Sequence, residues 1–152
     1  MKKWWIWFAI ASLLACERDD LCLQNPVIKI NTIFLNGNNE KSPVDSLLVI
    51  TASQDTLIPA THTDSTSFVP DPAQSGDTLI FKKVNGSFQY ADTVLLNYNP
   101  GYRFVSKACG YKMIFTETNI ELHRGNTSWI DSIRLITNSI DNDTITHIKI
   151  YH

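Results

Sequence analysis

The stretch Thr78-Leu-Ile-Phe-Lys-Lys-Val-Asn-Gly-Ser-Phe-Gln-Tyr-Ala-Asp-Thr-Val-Leu-Leu-Asn-Tyr98 decides the fold. Phe88, Tyr90, Val94, Leu96 and Tyr98 share one parity and alternate with Gln89, Thr93 and Asn97. Alternation of period two marks a strand with one buried and one wet face. Asn85-Gly86, between this run and the apolar run 78–84, accepts the positive φ angles of a tight type I′ turn. The spacing therefore predicts a β-hairpin.

The same grammar extends in both directions. No segment after residue 20 sustains apolar spacing at three, four and seven, whereas alternation recurs along the whole length. Further strands are expected at 27–35, 46–52, 67–69, 102–107, 112–118, 120–123, 129–137 and 144–151. Turn formers separate them: Asn36-Gly37-Asn38-Asn39, Pro70-Asp71-Pro72, Gly76-Asp77, Asn99-Pro100-Gly101, Gly125-Asn126 and Asp141-Asn142-Asp143. Strands this short and this numerous predict an all-β, antiparallel two-sheet sandwich of immunoglobulin-like or related Greek-key type. A small closed β-barrel is the alternative. No repeat, low-complexity tract or second domain interrupts the pattern.

The first fifteen residues read as an address. Met1-Lys2-Lys3 is a short positive start, and the twelve residues from Trp4 to Ala15 (WWIWFAIASLLA) carry no charge. That is the make-up of a signal peptide. It is too short for a stable transmembrane helix, which takes about 20 residues. Leu13-Leu14-Ala15-Cys16 resembles the bacterial lipobox, in which a small residue lets a signal peptidase cut beside a cysteine that carries diacylglycerol. Cys16 is the expected lipid attachment site; the alternative is a secreted protein with an accidental match. Glu17, Arg18, Asp19 and Asp20 follow at once. This acidic cluster resembles the export signal by which Bacteroidota send lipoproteins to the outer face of the outer membrane. The other reading is a solvated leader, so the cell surface and the periplasmic leaflet both stay open. The expected organisation is a signal peptide over 1–15, a lipidated acidic tether over 16–24 and a single sandwich domain over 25–152.

Processing changes the charge. The full chain of 152 residues has 13 basic and 15 acidic side chains; without Lys2 and Lys3 the balance becomes eleven to fifteen, a net charge of -4. No basic excess is available for nucleic-acid phosphates, so nucleic acid is excluded as a partner class. With Cys16 given to lipid, Cys22 and Cys109 remain as an even pair in an oxidising compartment, and one disulfide is expected between them. Two buried free thiols are the alternative. Six residue steps separate Cys16 from Cys22, a reach of at most ~20 Å, so a clamped Cys22 would hold the fold close to the membrane.

The chain offers little chemistry. It has no Gly-x-Ser-x-Gly elbow, no Cys-x-x-Cys pair and no glycine-rich phosphate loop. His62, His123, His147 and His152 are scattered rather than set at a ligand spacing, and are expected at the surface or on strand faces. No enzyme activity, cofactor or metal is expected. Asp141-Asn142-Asp143-Thr144 offers oxygen ligands of the kind calcium prefers but lacks the glycine and the distant glutamate of a calcium hand, so a turn is the better account.

Two patterns go further. Seven of the eleven aspartates (Asp45, Asp55, Asp64, Asp77, Asp92, Asp131 and Asp143) precede Ser or Thr and then an apolar residue or Thr. One reading is strand grammar, with Asp closing turns through local backbone amides. The other is that the triplet resembles the O-glycosylation signal of exported Bacteroidota proteins. Tyr98, Tyr102 and Tyr111 flank Asn99-Pro100-Gly101, where exposed rings would stack on sugars, although parity places most of them in the core.

Val105-Ser106-Lys107-Ala108-Cys109-Gly110-Tyr111-Lys112, with Cys16-Glu-Arg-Asp-Asp-Leu-Cys22 and His147-Ile148-Lys149-Ile150, resembles an uncharacterised family of Bacteroidota lipoproteins, the domain of unknown function numbered 6452. The likeness extends over nearly the whole mature chain. It implies an outer-membrane lipoprotein without assigned activity, with lipid on Cys16, a cystine of Cys22 and Cys109, and an outer-membrane β-barrel protein as partner. Together these readings give a non-enzymatic, lipid-anchored outer-membrane protein that serves as an accessory or structural subunit of an envelope assembly. A surface glycan-binding module is the alternative.

Overall fold

A computed structural model describes Cys22 and residues 26–152. The signal peptide, Cys16 and the cluster Glu17, Arg18, Asp19 and Asp20 lie outside the described residues. Nine strands follow in order: β1 (Ile30–Leu35), β2 (Val44–Thr51), β3 (Thr56–Thr63), β4 (Ser65–Phe68), β5 (Gly76–Asn85), β6 (Phe88–Ser106), β7 (Gly110–Arg124), β8 (Ser132–Leu135) and β9 (Ile148–Tyr151). They form a four-stranded sheet, β4-β1-β9-β8, and a five-stranded sheet, β3-β2-β5-β6-β7. Every pairing is antiparallel except β1 with β9. The expected two-sheet sandwich is the observed architecture, and the two sheets do not close into a barrel.

Alternation builds the core. Ile30 and Phe34 of β1 and Ile148 and Ile150 of β9 pack against Leu47, Val49, Leu79, Phe81, Val94 and Leu96 of the larger sheet. The β5–β6 hairpin forms in register from Gly76↔Asn97 to Asn85↔Phe88. Its loop is Gly86-Ser87, one residue later than expected, and of the loop residues only Gly86 has positive φ, at 60°. Type I′ needs positive φ at both central residues, so this loop has the glycine-first signature of type II′.

The strand boundaries differ from expectation where tertiary context decides. Gly76-Asp77 opens β5 instead of turning. β3 carries Pro59 and is mostly exposed, so it shows no alternation; it lies at the sheet edge, where a strand tolerates proline. The segments expected at 112–118 and 120–123 are one strand, β7, interrupted by a bulge in which Glu117 and Thr118 oppose Tyr98 and Glu117 takes φ 52°. The bulge swaps the inward parity of β7, from Ile120 and Leu122 to Phe115 and Met113.

The largest difference is at Asn99-Pro100-Gly101, which is no turn but the middle of β6. Pro100 pairs with Phe115, whose own N–H and C=O bond outward to Ile140. This is a non-hydrogen-bonded pair, so the missing N–H of Pro100 faces away from β7, on the side where β5 has already ended at Gly76, opposite Asn97. Proline costs nothing there.

Candidate functional site

Beyond Asn97 the β6–β7 hairpin continues without β5, as a two-stranded ribbon paired as far as Ser106↔Gly110. Eight residue steps from Tyr98 to Ser106 give it a length of ~27 Å. Tyr98, Tyr102 and Phe104 keep one parity, and across the ribbon Met113 pairs with Tyr102 and Tyr111 with Phe104. Near the body this face is core: Tyr98 and Phe115 are buried, with ring centroids 5.0 Å apart. Farther out, Tyr102 is 70% exposed, Phe104 55% and Tyr111 66%. The expectation from parity that most of the three tyrosines are core fails beyond Tyr98, because the ribbon continues past the buried part of this face. Two of the three tyrosines are thus at the surface, and no turn lies between them.

Phe104 and Tyr111 meet edge to face at 5.5 Å. Arg103, on the other face, forms an ion pair with Asp141 at 2.7 Å. Lys107, in the tip, is exposed, and Lys112 is half-buried. The window 100–116 holds three basic residues and no acidic one.

The expected disulfide joins Cys22 to Cys109, which sits in the tip between β6 and β7. On the outer edge of β7, Met113 N–H donates to the carbonyl of Pro26 at 3.2 Å. Cys22 is therefore fixed at the end of the aromatic ribbon.

The polar groups elsewhere are committed to structure. His147 was expected at the surface or on a strand face but is fully buried. Its Nδ1 accepts the Asn31 N–H at 3.0 Å and its Nε2–H donates to the Asn142 carbonyl at 2.8 Å, which fixes a neutral tautomer. Asn31 Nδ2 holds the same loop through the Asp143 and Ile145 carbonyls. Asn142 Oδ1 accepts from Thr144 N–H and Oγ1–H, and Asp141 is engaged by Arg103, so the Asp141–Thr144 loop is a hydrogen-bonded turn. His62 and His123 are exposed and His152 packs on Phe34 and Trp129, so the four imidazoles do not converge. Among the described residues no three His, Cys, Asp or Glu side chains come together.

Burial holds the His147 imidazole below its ordinary pKa, partly offset by the Asn142 carbonyl and the charges of Asp141 and Asp143. A lowered folded-state pKa means that the unfolded chain binds the proton more readily. This contribution is complete above about pH 6.5 and fades as pH falls from there through the folded value, by up to about 1.4 kcal/mol per pH unit. Urea unfolding between pH 8 and pH 5 should show the decline, and His147→Gln should flatten it while lowering stability throughout. An equal slope in both proteins would refute this assignment.

The aspartate triplets follow no single grammar. Asp77 Oδ2 accepts from the Tyr98 hydroxyl at 2.7 Å, and burial together with this contact pushes the phenol far above its ordinary pKa. Asp92 binds backbone amides 33 to 38 residues away rather than local ones. Asp45 lies within β2 and contacts His62. The hydroxyl residue of the triplet is exposed at Ser46, Thr56, Ser65, Ser132 and Thr144, and half-buried at Thr78 and Thr93.

A family profile described as a family of unknown function, DUF6452, matches residues 46–152. The chain belongs to this family. The matched region of DUF6452 starts in β2 and takes in the whole ribbon, Cys109 and His147, but neither Cys16 nor Cys22. The shared region is thus shorter than the expected mature chain. No curated protein and no solved structure matches at a significant level.

Proposed function

We propose that this DUF6452 chain is a non-enzymatic outer-membrane lipoprotein, anchored through Cys16, that serves as an accessory or structural subunit of a cell-envelope assembly. The observation that carries the reading is the Cys22–Cys109 bond. It fastens a position six residues from the lipobox cysteine to one end of the sandwich, so an acylated Cys16 would hold that end within ~20 Å of the glycerol backbone. A domain tethered so closely meets membrane proteins before soluble ligands. Proteins of the outer membrane, including a β-barrel, are the partners this placement favours. Asp92, Tyr98, Asp77 and His147 spend their hydrogen bonds on the backbone and on one another, which supports a structural reading.

The glycan-binding reading has weaker support. Tyr98 is buried, and the exposed rings of Phe104 and Tyr111 stand at 69° to each other, so they offer no flat platform for a sugar.

Fractionation tests the anchor. The native protein should sediment with membranes and carry acyl mass on its N-terminal peptide, while Cys16→Ala should abolish both. An unacylated N-terminus in the membrane-free fraction would end the proposal. Recovery from gentle detergent without any outer-membrane protein would end the assembly part alone.

A further inference from the structure

We infer that the aromatic face of the β6–β7 ribbon seats in the headgroup layer of the bilayer, as a second, non-covalent membrane contact beside the lipid. The inference rests on the anchoring reading above and adds the surface that meets the membrane. Three observations carry it.

The first is the exposed face itself. Tyr102, Phe104 and Tyr111 have inward parity but no sheet above them, so an apolar surface made for burial stands open at the end of the molecule. Proteins rarely leave such a patch without an occupant. The second is where Cys22 is fixed. Cys22 is bonded to Cys109 in the ribbon tip, and only six residue steps separate it from Cys16. Of all surfaces on the sandwich, this end is the one the tether holds next to the bilayer.

The third is chemistry. A phenylalanine flanked by two tyrosines suits the interface, where rings bury their carbon frames and keep hydroxyls among headgroups. Lys107 is exposed in the tip beside this face, whereas Arg103 and its cross-strand partner Lys112 lie on the opposite face, Arg103 being paired with Asp141. Lipid phosphates are the complementary partner, and lysine stems can lie along apolar surface while their ammonium groups stay wet.

The test uses the full-length mature protein as purified from the envelope of its own cells, in vesicles of phosphatidylethanolamine with a minority of phosphatidylglycerol, carrying acyl chains brominated to quench tryptophan. Phe104→Trp and Tyr111→Trp report from the ribbon face, on exposed positions where folding is not at stake. Phe88→Trp, exposed at the opposite end of β6, is the distal control, and Trp129 of the unsubstituted mature chain gives the baseline. The indoles introduced at positions 104 and 111 should lose emission to brominated lipid, since aromatic rings at the interface sit at headgroup level. They should also be shielded from aqueous iodide, while the indole introduced at position 88 stays open to iodide and unquenched.

If the protein floats with the vesicles but the Phe104→Trp and Tyr111→Trp variants behave as Phe88→Trp does, the ribbon does not touch lipid; the inference fails and the anchor stands. Shielding from iodide without quenching by lipid would show a protein covering the ribbon and would also overturn it. Failure to float, with no acyl mass, would remove the anchoring reading itself.

Discussion

Replacing Asp92 by alanine is expected to cost about 3–5 kcal/mol, a large part of the ~5–15 kcal/mol that holds a domain of this size together. Asp92 is buried in β6, where Oδ2 accepts the N–H groups of Trp129 and Ile130 at 2.8 and 2.9 Å and Oδ1 faces the Gly125 N–H at 3.4 Å. Those amides belong to the segment that leaves β7 in the larger sheet and enters β8 in the smaller one. One side chain thus satisfies the backbone of the crossover between sheets, and its loss strands two or three donors, each worth about 1–3 kcal/mol when orphaned. The segment has no slack: a Cβ on Gly125 would lie 2.8 Å from the Ala91 carbonyl. Asp92→Asn keeps one acceptor oxygen but turns an NH2 toward donors, so it should fall between wild type and alanine. Urea titration at neutral pH gives the order directly, and an alanine variant within about 1 kcal/mol of wild type would show that water replaces the carboxyl at no cost.

Neither Asp92 nor His147 could be picked out from the sequence, and the reason is the same for both. The partners of Asp92 lie 33 to 38 residues away and the amide that fixes His147 Nδ1 lies 116 away, and local pattern carries no trace of such distances. The hairpin was legible because alternation and a turn glycine report local geometry, although the loop is Gly86-Ser87 rather than Asn85-Gly86. The ribbon was half legible. Parity placed Tyr98 in the core but wrongly put Tyr102 there too, since where cover ends depends on the length of strands paired elsewhere. Pro100-Gly101 reads as a turn in most contexts. It is strand here only because β5 ends at Gly76, opposite Asn97, and leaves the proline nitrogen facing no strand partner. β3 was hidden by Pro59 and by exposure on both faces, both of which belong to an edge position that pairing alone creates. Sites made of distant residues, and surfaces defined by what fails to cover them, need the fold before they can be named.

Reducing the Cys22–Cys109 disulfide should lower stability by roughly 4 kcal/mol, acting mainly through the unfolded chain. The bond joins positions 87 residues apart, and closing a loop of that size removes about 4.5 kcal/mol of chain entropy on the loop model. Its native surroundings are slight. Cys22 is exposed and Cys109 only half-buried at the ribbon tip, so breaking the bond deletes little packing from the folded state. The signature should be a lower urea midpoint with a steeper slope, because the reduced unfolded chain exposes more surface, and a native-state spectrum that hardly changes. Cys22→Ala, Cys109→Ala and the double variant should coincide, since any one of them removes the same link. A loss below about 1 kcal/mol would show that the hydrogen bond from Met113 to Pro26 already holds the leader in place and that the cystine adds no constraint. The same reduction has a second consequence at the membrane. With the cystine opened, the covalent tie between the ribbon tip and a position six steps from Cys16 is gone, and the ~20 Å limit it set no longer applies. The ribbon tip is then no longer held against the bilayer, so quenching of the Phe104→Trp variant by brominated lipid should fall on reduction while the protein stays on the vesicle. Quenching that persists unchanged would mean that the aromatic face and the tip residue Lys107 hold the membrane by themselves, with the disulfide serving stability alone.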